Sequence, residues 1–154
     1  MSDTPKKGYQ PYQNKQIGTA LLFIIAAVLC FILFTAIGKD NQVIWPVIII
    51  LSIVSFLFHS LNIQVNNHVV HWSFGPGFWK KSIKVGDIIS MQQVNTKWYY
   101  GLGIRFIASG WLYIVTGTTA VELELKDGSK VYLGTNDAQN LINAIKSQSN
   151  IINT

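Results

Sequence analysis

Hydrophobic and polar positions change rhythm twice along this chain. Residues 1–16 follow no period; Pro5, Gly8 and Pro11 interrupt a run rich in Gln and Lys, which predicts a disordered tail. From Ile17 to Ile37, "IGTALLFIIAAVLCFILFTAI", no residue is charged. About 20 apolar residues match a hydrocarbon core of roughly 30 Å, so this run predicts a transmembrane helix. A second run, Val43 to Leu61, carries Pro46 in what would be its first turn, where the missing N–H costs little. Trp45 falls beside it, at a depth that indoles favour. The polar linker Gly38–Gln42 between the runs is short enough to make them an antiparallel hairpin. A cleaved signal peptide is the alternative for the first run, with Lys6, Lys7 and Lys15 as its basic flank. That run exceeds a typical signal core, and a second one follows almost at once.

Beyond Ile63 the rhythm shortens to that of strands. "NIQV" and "HVVHWSF" flank Asn66-Asn67, which predicts a tight hairpin. Gly75-Pro76-Gly77 and Gly86-Asp87 punctuate the next segments. "TAVELELK" alternates strictly, with Val121, Leu123 and Leu125 on one face and Glu122, Glu124 and Lys126 on the other. At Asp127-Gly128 a two-residue loop would oppose Leu125 to Lys130. A three-residue loop, Lys126 to Gly128, opposes Leu123 to Val131 and Glu124 to Lys130 instead. Because the side-chain period is two, only the odd loop matches both faces, with Gly128 in the left-handed conformation. "TNDAQNLINAIKSQ" closes the chain as a helix with Asn136 as N-cap and Leu141, Ile142 and Ile145 as its apolar stripe.

One stretch is ambiguous by hydropathy alone. Gly101 to Gly117 carries a single charge, Arg105, and a sliding window could take it for a third span. Arg105 near the middle of such a span would cost roughly 2.5–3.5 kcal/mol. Four glycines cut the stretch into pieces of strand length filled by aromatic and β-branched residues. It is read as strands, with Ile104 and Phe106 on one face and Arg105 on the other.

Composition agrees with the presence of an apolar segment: 12% of the 154 residues are charged, against about 25% in soluble domains. The net charge of +5 comes from lysine, since Arg105 is the only arginine. Lysines before the first run and at Lys80, Lys81 and Lys84 after the second, against Lys39 alone in the linker, place both termini in the cytoplasm by the positive-inside rule. No arginine-rich stripe points to nucleic acid. Cys30 is alone and lies in an apolar run, so no disulfide framework exists.

The chemistry-bearing residues are sparse. Glu122 and Glu124 share a strand face and read as solvated. His68 and His71, three apart, point to opposite faces of a strand and cannot both hold one metal. No phosphate loop, nucleophile with base, or paired catalytic carboxylates are present, so no catalytic, cofactor-binding or metal-binding residue is assigned. Two positions carry surface readings. Phe78, Trp79, Lys80, Lys81 and Lys84 combine aromatic rings with ammonium groups, the chemistry of a membrane-surface contact with anionic headgroups. Arg105 could hold a carboxylate or phosphate bidentately.

"GPGFWKKSIKVGDI", "YGLGIR", "GWLYIVTGTTAVELELKDG" and "YLGTNDAQNLINAI" resemble the pleckstrin-homology-like (PH-like) domains of small bacterial membrane proteins, over about Ile63 to Lys146. The resemblance implies a strongly bent antiparallel half-barrel capped by a helix, without enzymatic activity.

The expected protein is therefore a membrane protein: a disordered tail (1–16), a two-helix transmembrane hairpin (spans 17–37 and 43–61), an α+β PH-like domain of about seven strands and one helix (62–148), and a short tail (149–154). Its expected place is the cytoplasmic (inner) cell membrane, crossed twice, with both termini in the cytoplasm. Its expected role is a non-catalytic, membrane-anchored binding or scaffolding module. The alternative is an accessory subunit of a membrane-protein complex that docks by its hairpin. Its expected partners are the lipid bilayer with anionic headgroups and a protein or second copy, but no nucleic acid.

Overall fold

In this computed structural model the described residues are 11–36, 42, 44–97 and 100–152. Residues 1–10 of the expected tail, most of the linker (38–41), the outer ends of the two apolar runs (37 and 43), residues 98–99 and the last two residues lie outside them. Among the described residues nine strands and three α-helices run in the order β1 (Tyr12–Ile17), α1 (Thr19–Ala36), α2 (Ile44–Phe58), β2 (Ser60–Asn66), β3 (Val69–Phe74), β4 (Trp79–Lys84), β5 (Ile88–Asn95), β6 (Gly103–Ile107), β7 (Gly110–Ile114), β8 (Thr119–Leu125), β9 (Lys130–Gly134) and α3 (Ala138–Ile152). A 3-10 turn, Val85–Asp87, joins β4 to β5.

The strands form two sheets, β1-β2-β3-β4 and β5-β8-β9-β7-β6, rather than the single half-barrel of about seven strands expected. All neighbours are antiparallel except β7 and β9. The β8-β9 hairpin inserts β9 beside β7, and that topology fixes their common direction. The stretch that could have passed for a third span is the β6-β7 hairpin, with Arg105 opposite Leu112.

Strand β1 corrects the reading of residues 12–16 as a disordered tail. Its core-side face is polar, so hydropathy does not announce it. The Tyr12 hydroxyl donates to the backbone oxygen and a carboxylate oxygen of Asp137, each at 3.4 Å. The Asn14 amide donates to Asn136 Oδ1 at 3.1 Å, and Gln16 Nε2 to the Gly134 carbonyl at 2.8 Å. Side-chain hydrogen bonds to the entry of α3 do here what apolar burial does in the other strands.

The apolar faces of both sheets meet in one core. Leu61, Ile63, Val65, Val70, Trp72 and Phe74 come from the first sheet, Tyr113, Val121, Leu123, Val131 and Leu133 from the second, and Leu141, Ile142 and Ile145 from α3. Trp72 and Phe74 both reach Tyr113, with ring centroids 5.3 and 6.3 Å apart. A smaller cluster of Leu112, Ile114, Ala120 and Tyr132 covers the far face of the second sheet.

Two turns bear on the sequence reading. At Asp127-Gly128 the pairs are Leu123 with Val131 and Glu124 with Lys130, and Gly128 has φ +80°, so the three-residue loop holds. At the β2-β3 turn the central residues are Asn67 and His68, at φ +49° and +59°, one position beyond the expected Asn66-Asn67. The shift opposes Leu61 to Phe74 and buries both, and it lets the His68 amide donate to Gln148 Oε1 on α3 at 2.6 Å. The helix α3 starts one residue later than read, with Asp137, not Asn136, accepting the first helical hydrogen bond, from Leu141 at 3.1 Å.

The hairpin α1-α2 is inserted between two paired strands. β1 and β2 pair up to Ile17 opposite Ser60, and Gly18 then donates to the His59 carbonyl at 2.6 Å. This junction overturns the expected transmembrane spans. Ile17, Ser60 and Leu61 are taken by strands, which leaves helices of 18 and 15 residues. At 1.5 Å per residue they are about 27 and 22 Å long, short of the roughly 30 Å of a hydrocarbon core. Among the described residues no helix is long and apolar enough to cross a membrane. The integral-membrane assignment and the twice-crossed cell membrane with both termini cytoplasmic are corrected accordingly.

Candidate functional site

Three regions stand out for function: the hairpin, the foot at which it joins the first sheet, and the outer faces of the two sheets.

The hairpin is apolar on nearly every side. Phe23, Ile24, Val28, Phe31, Leu33 and Phe34 of α1 are exposed, as are Trp45, Val47, Ile49, Ile50, Ile53, Val54 and Phe56 of α2. At 3.6 residues per turn these positions cover arcs of about 220° and 200°, twice the stripe by which a helix docks on a core. Ile25 is the one buried hydrophobic residue of α1 and α2 among those described. Two hydroxyls of the hairpin are satisfied inside their helices: Thr35 donates to the Ile32 carbonyl at 3.0 Å and Ser52 to Ile48 at 2.8 Å. Back-bonded hydroxyls of this kind need no water.

At the foot, the turn from Gly75 to Phe78 returns to the helices. The Gly75 amide donates to the Ser60 carbonyl at 2.8 Å, and a Cβ on Gly75 would run into the Leu57 carbonyl of α2. Gly75 also holds φ +53°, so both backbone and space require glycine there. The sequence-derived surface residues sit just beyond this turn, and all five are exposed, Phe78 at 66% and Trp79 at 41%. They do not form one patch. Strand alternation in β4 puts Trp79 and Lys81 on the core side, opposite Phe74 and Trp72, and Lys80 and Lys84 on the outer side.

The outer face of the first sheet is polar throughout. One row across the four strands reads Lys15, Asn62, Ser73, Lys80, and the next reads Gln13, Gln64, His71, Ser82. A cavity of about 650 Å³ lies against this face and the Gly75–Gly77 turn. Three lysines line it, Lys15, Lys80 and Lys81, and no carboxylate does. Lys15, Asn62 and Ser73 were missed in the sequence because β1 was not read as a strand. The alternation of Asn62, Gln64, His71 and Ser73 was the legible signal.

The second sheet treats charge differently. Glu122, 8% exposed, accepts from Lys130 Nζ at 2.8 Å and from Gln92 Nε2 at 3.2 Å. Its expected solvated face is thus a packed polar row. Burial works to raise the Glu122 carboxyl, but hydrogen bonds from Lys130, Tyr132 and Gln92 outweigh it and hold the group below its ordinary value. The same contact raises the Lys130 ammonium. Arg105 ends the row Gln92, Glu122, Tyr132, Leu112, Arg105, exposed and folded over Gly101, where a Cβ would sit 3.1 Å from the guanidinium. The sheet places Arg105 three strands from Glu122, roughly 14 Å. Arg105 and the lysines of the first sheet are therefore not brought together. Among the described residues no group of three His, Cys, Asp or Glu could hold a metal ion.

Compared with known protein families, no family model matches the chain, and comparison with curated proteins gives no match either.

Proposed function

We propose that this protein is a non-catalytic binding or scaffolding module that attaches to a lipid surface by its apolar hairpin and presents the two-sheet body, of the PH-like kind its sequence resembles, beside that surface. The observation that carries the reading is the exposure of apolar side chains over more than half the circumference of α1 and of α2. A protein groove covers one face of a helix, whereas arcs beyond half a turn match a medium that surrounds it. Thirteen large side chains are involved, and transferring them into acyl chains is worth on the order of 20 kcal/mol before ordering costs. Attachment of this kind enters a lipid layer from one side and does not require a helix that crosses it.

Flotation with neutral phosphatidylcholine vesicles tests the proposal. The full chain should float with the vesicles, and a Phe23→Glu, Phe34→Glu variant with an unchanged body should stay behind. Full-length protein that remains in the aqueous fraction, or a variant that floats equally well, rules it out.

A further inference from the structure

The cavity on the outer face of the first sheet is an unexplained feature of the body. In the second sheet Glu122 is matched by Lys130. On the outer face of the first sheet Lys15 and Lys80 line one cavity without an acidic residue. We infer that this cavity is an anion site for a phosphate ester, with Lys15 and Lys80 closing on the phosphate from opposite edges and Asn62 and Ser73 beneath it.

Register makes the arrangement specific. Lys15, Asn62, Ser73 and Lys80 are successive partners in one row across β1, β2, β3 and β4. With strands about 4.8 Å apart the two lysines start roughly 14 Å from each other, and their four-carbon stems close that gap onto one ligand. Gly77, at φ +98°, leaves room for this: a Cβ there would sit 2.8 Å from Lys80 Cε, so the stem of Lys80 lies across the turn. Lys, Ser and Asn supply donors to phosphate oxygens, and nothing in the lining repels an anion. One buried polar atom of a lining residue on this face also lacks a partner, Asn62 Oδ1. An acceptor left unmatched fits a ligand that brings hydroxyls as well as phosphate oxygens, as a phosphoglycerol group does.

Placement points to where such a ligand would come from. The row lies two residues from the end of the β1-β2 ladder, where Gly18 and His59 hand over to the hairpin, roughly 7 Å along the strands. If the hairpin lies among acyl chains, the cavity lies at the level of the headgroups. The lipid-borne source rests on the lipid-surface reading; the phosphate chemistry does not, and the test separates them.

The full chain is measured on phosphatidylcholine vesicles with and without phosphatidylglycerol at low salt. Retention should rise with phosphatidylglycerol, and Lys15→Gln with Lys80→Gln should remove about fivefold for each lysine while leaving retention on neutral vesicles unchanged. Lys126→Gln with Lys146→Gln, exposed lysines away from the cavity, should keep the gain. Ser73→Asp, which sets a carboxylate under the phosphate, should abolish it. In parallel, the Asn62 side-chain amide resonances, assigned through Asn62→Ala, are followed in detergent-solubilised protein during titration with glycerol phosphate and with inorganic phosphate, and in nanodiscs containing phosphatidylglycerol. A shift confined to nanodiscs identifies a lipid headgroup, and a saturable shift in detergent identifies a free phosphate ester; either supports the site. An Asn62 amide unmoved by every phosphate source overturns it, as does a gain that the Lys15, Lys80 variant keeps or that the control pair loses equally. Failure to bind neutral vesicles removes the lipid reading alone, and the detergent titration then decides the cavity.

Discussion

Phe74 and Phe34 are the same side chain in opposite surroundings. Phe74 is fully buried, packed edge-on against Phe58 at 5.8 Å and tilted against Tyr113. Phe34 is 75% exposed on α1. The body brings together the apolar faces of two sheets and a helix and leaves polar rows outside. The hairpin has one neighbouring helix on each side of its turn and apolar residues on more than half of each circumference, so it cannot cover itself. Hydrophobic content alone therefore does not place a segment in a core. What decides is whether the pattern is one-sided, as at Val121, Leu123 and Val131, or all-round, as along α1.

The largest effect should come from truncating the same residue in the two places. Phe74→Ala should lower the stability of the body by about 3–5 kcal/mol, read by thermal or denaturant unfolding. Phe34→Ala should leave that unfolding within about 0.5 kcal/mol and instead weaken vesicle retention. Equal effects on unfolding would break the contrast between the regions.

Next come glycines of the body. Gly110 holds φ +147°, and a Cβ there would run into the Lys130 carbonyl, whereas a Cβ on Gly86 meets open space. Gly110→Ala should cost at least about 1–3 kcal/mol, since β7 must shift from β9 to admit the methyl. Gly86→Ala should leave the melting temperature near that of the parent chain.

A smaller effect should follow from the polar row. The Glu122 carboxyl is held below its ordinary value in the folded chain, so its contribution is present above the unfolded pKa and disappears as pH falls through the folded one. Unfolding followed through that acid range should show stability decreasing with pH. Glu122→Ala should flatten this dependence and lower stability near neutrality by about 1 kcal/mol. A variant with the parent's full acid dependence would assign it to other carboxylates.

The smallest effect on stability, within about 0.5 kcal/mol, should come from Lys80→Gln on the exposed outer face. Its consequence belongs to anion binding. A large loss of stability would give Lys80 a structural role instead.

Much of the body was legible because period two is imposed by the strand itself. The register at Asp127-Gly128 follows from matching two faces, and the strands over Gly101–Gly117 follow from glycine spacing and from Arg105. The apolar stripe of α3 was legible because a helix imposes its own period of 3.6. The candidate cavity was legible only in part: Lys80 and Lys81 were singled out by composition, but nothing local connects them to Lys15, 65 residues earlier in the chain.

By itself, then, the sequence determined which residues alternate, where the Asp127-Gly128 turn falls and that residues 19–36 and 44–58 are apolar all round, because these are properties of neighbours along the chain. Tertiary structure decided what those patterns became. It made Tyr12–Ile17 a strand by hydrogen bonds to Gly134, Asn136 and Asp137, more than a hundred residues away. It shortened both apolar runs by drawing Ile17, Ser60 and Leu61 into the β1-β2 ladder. It also split Trp79 and Lys81 from Lys80 and Lys84 and set Lys80 in one row with Lys15. Pairing across strands is a long-range choice, made where the most backbone groups and apolar faces are satisfied together, and no local window of the chain contains that sum.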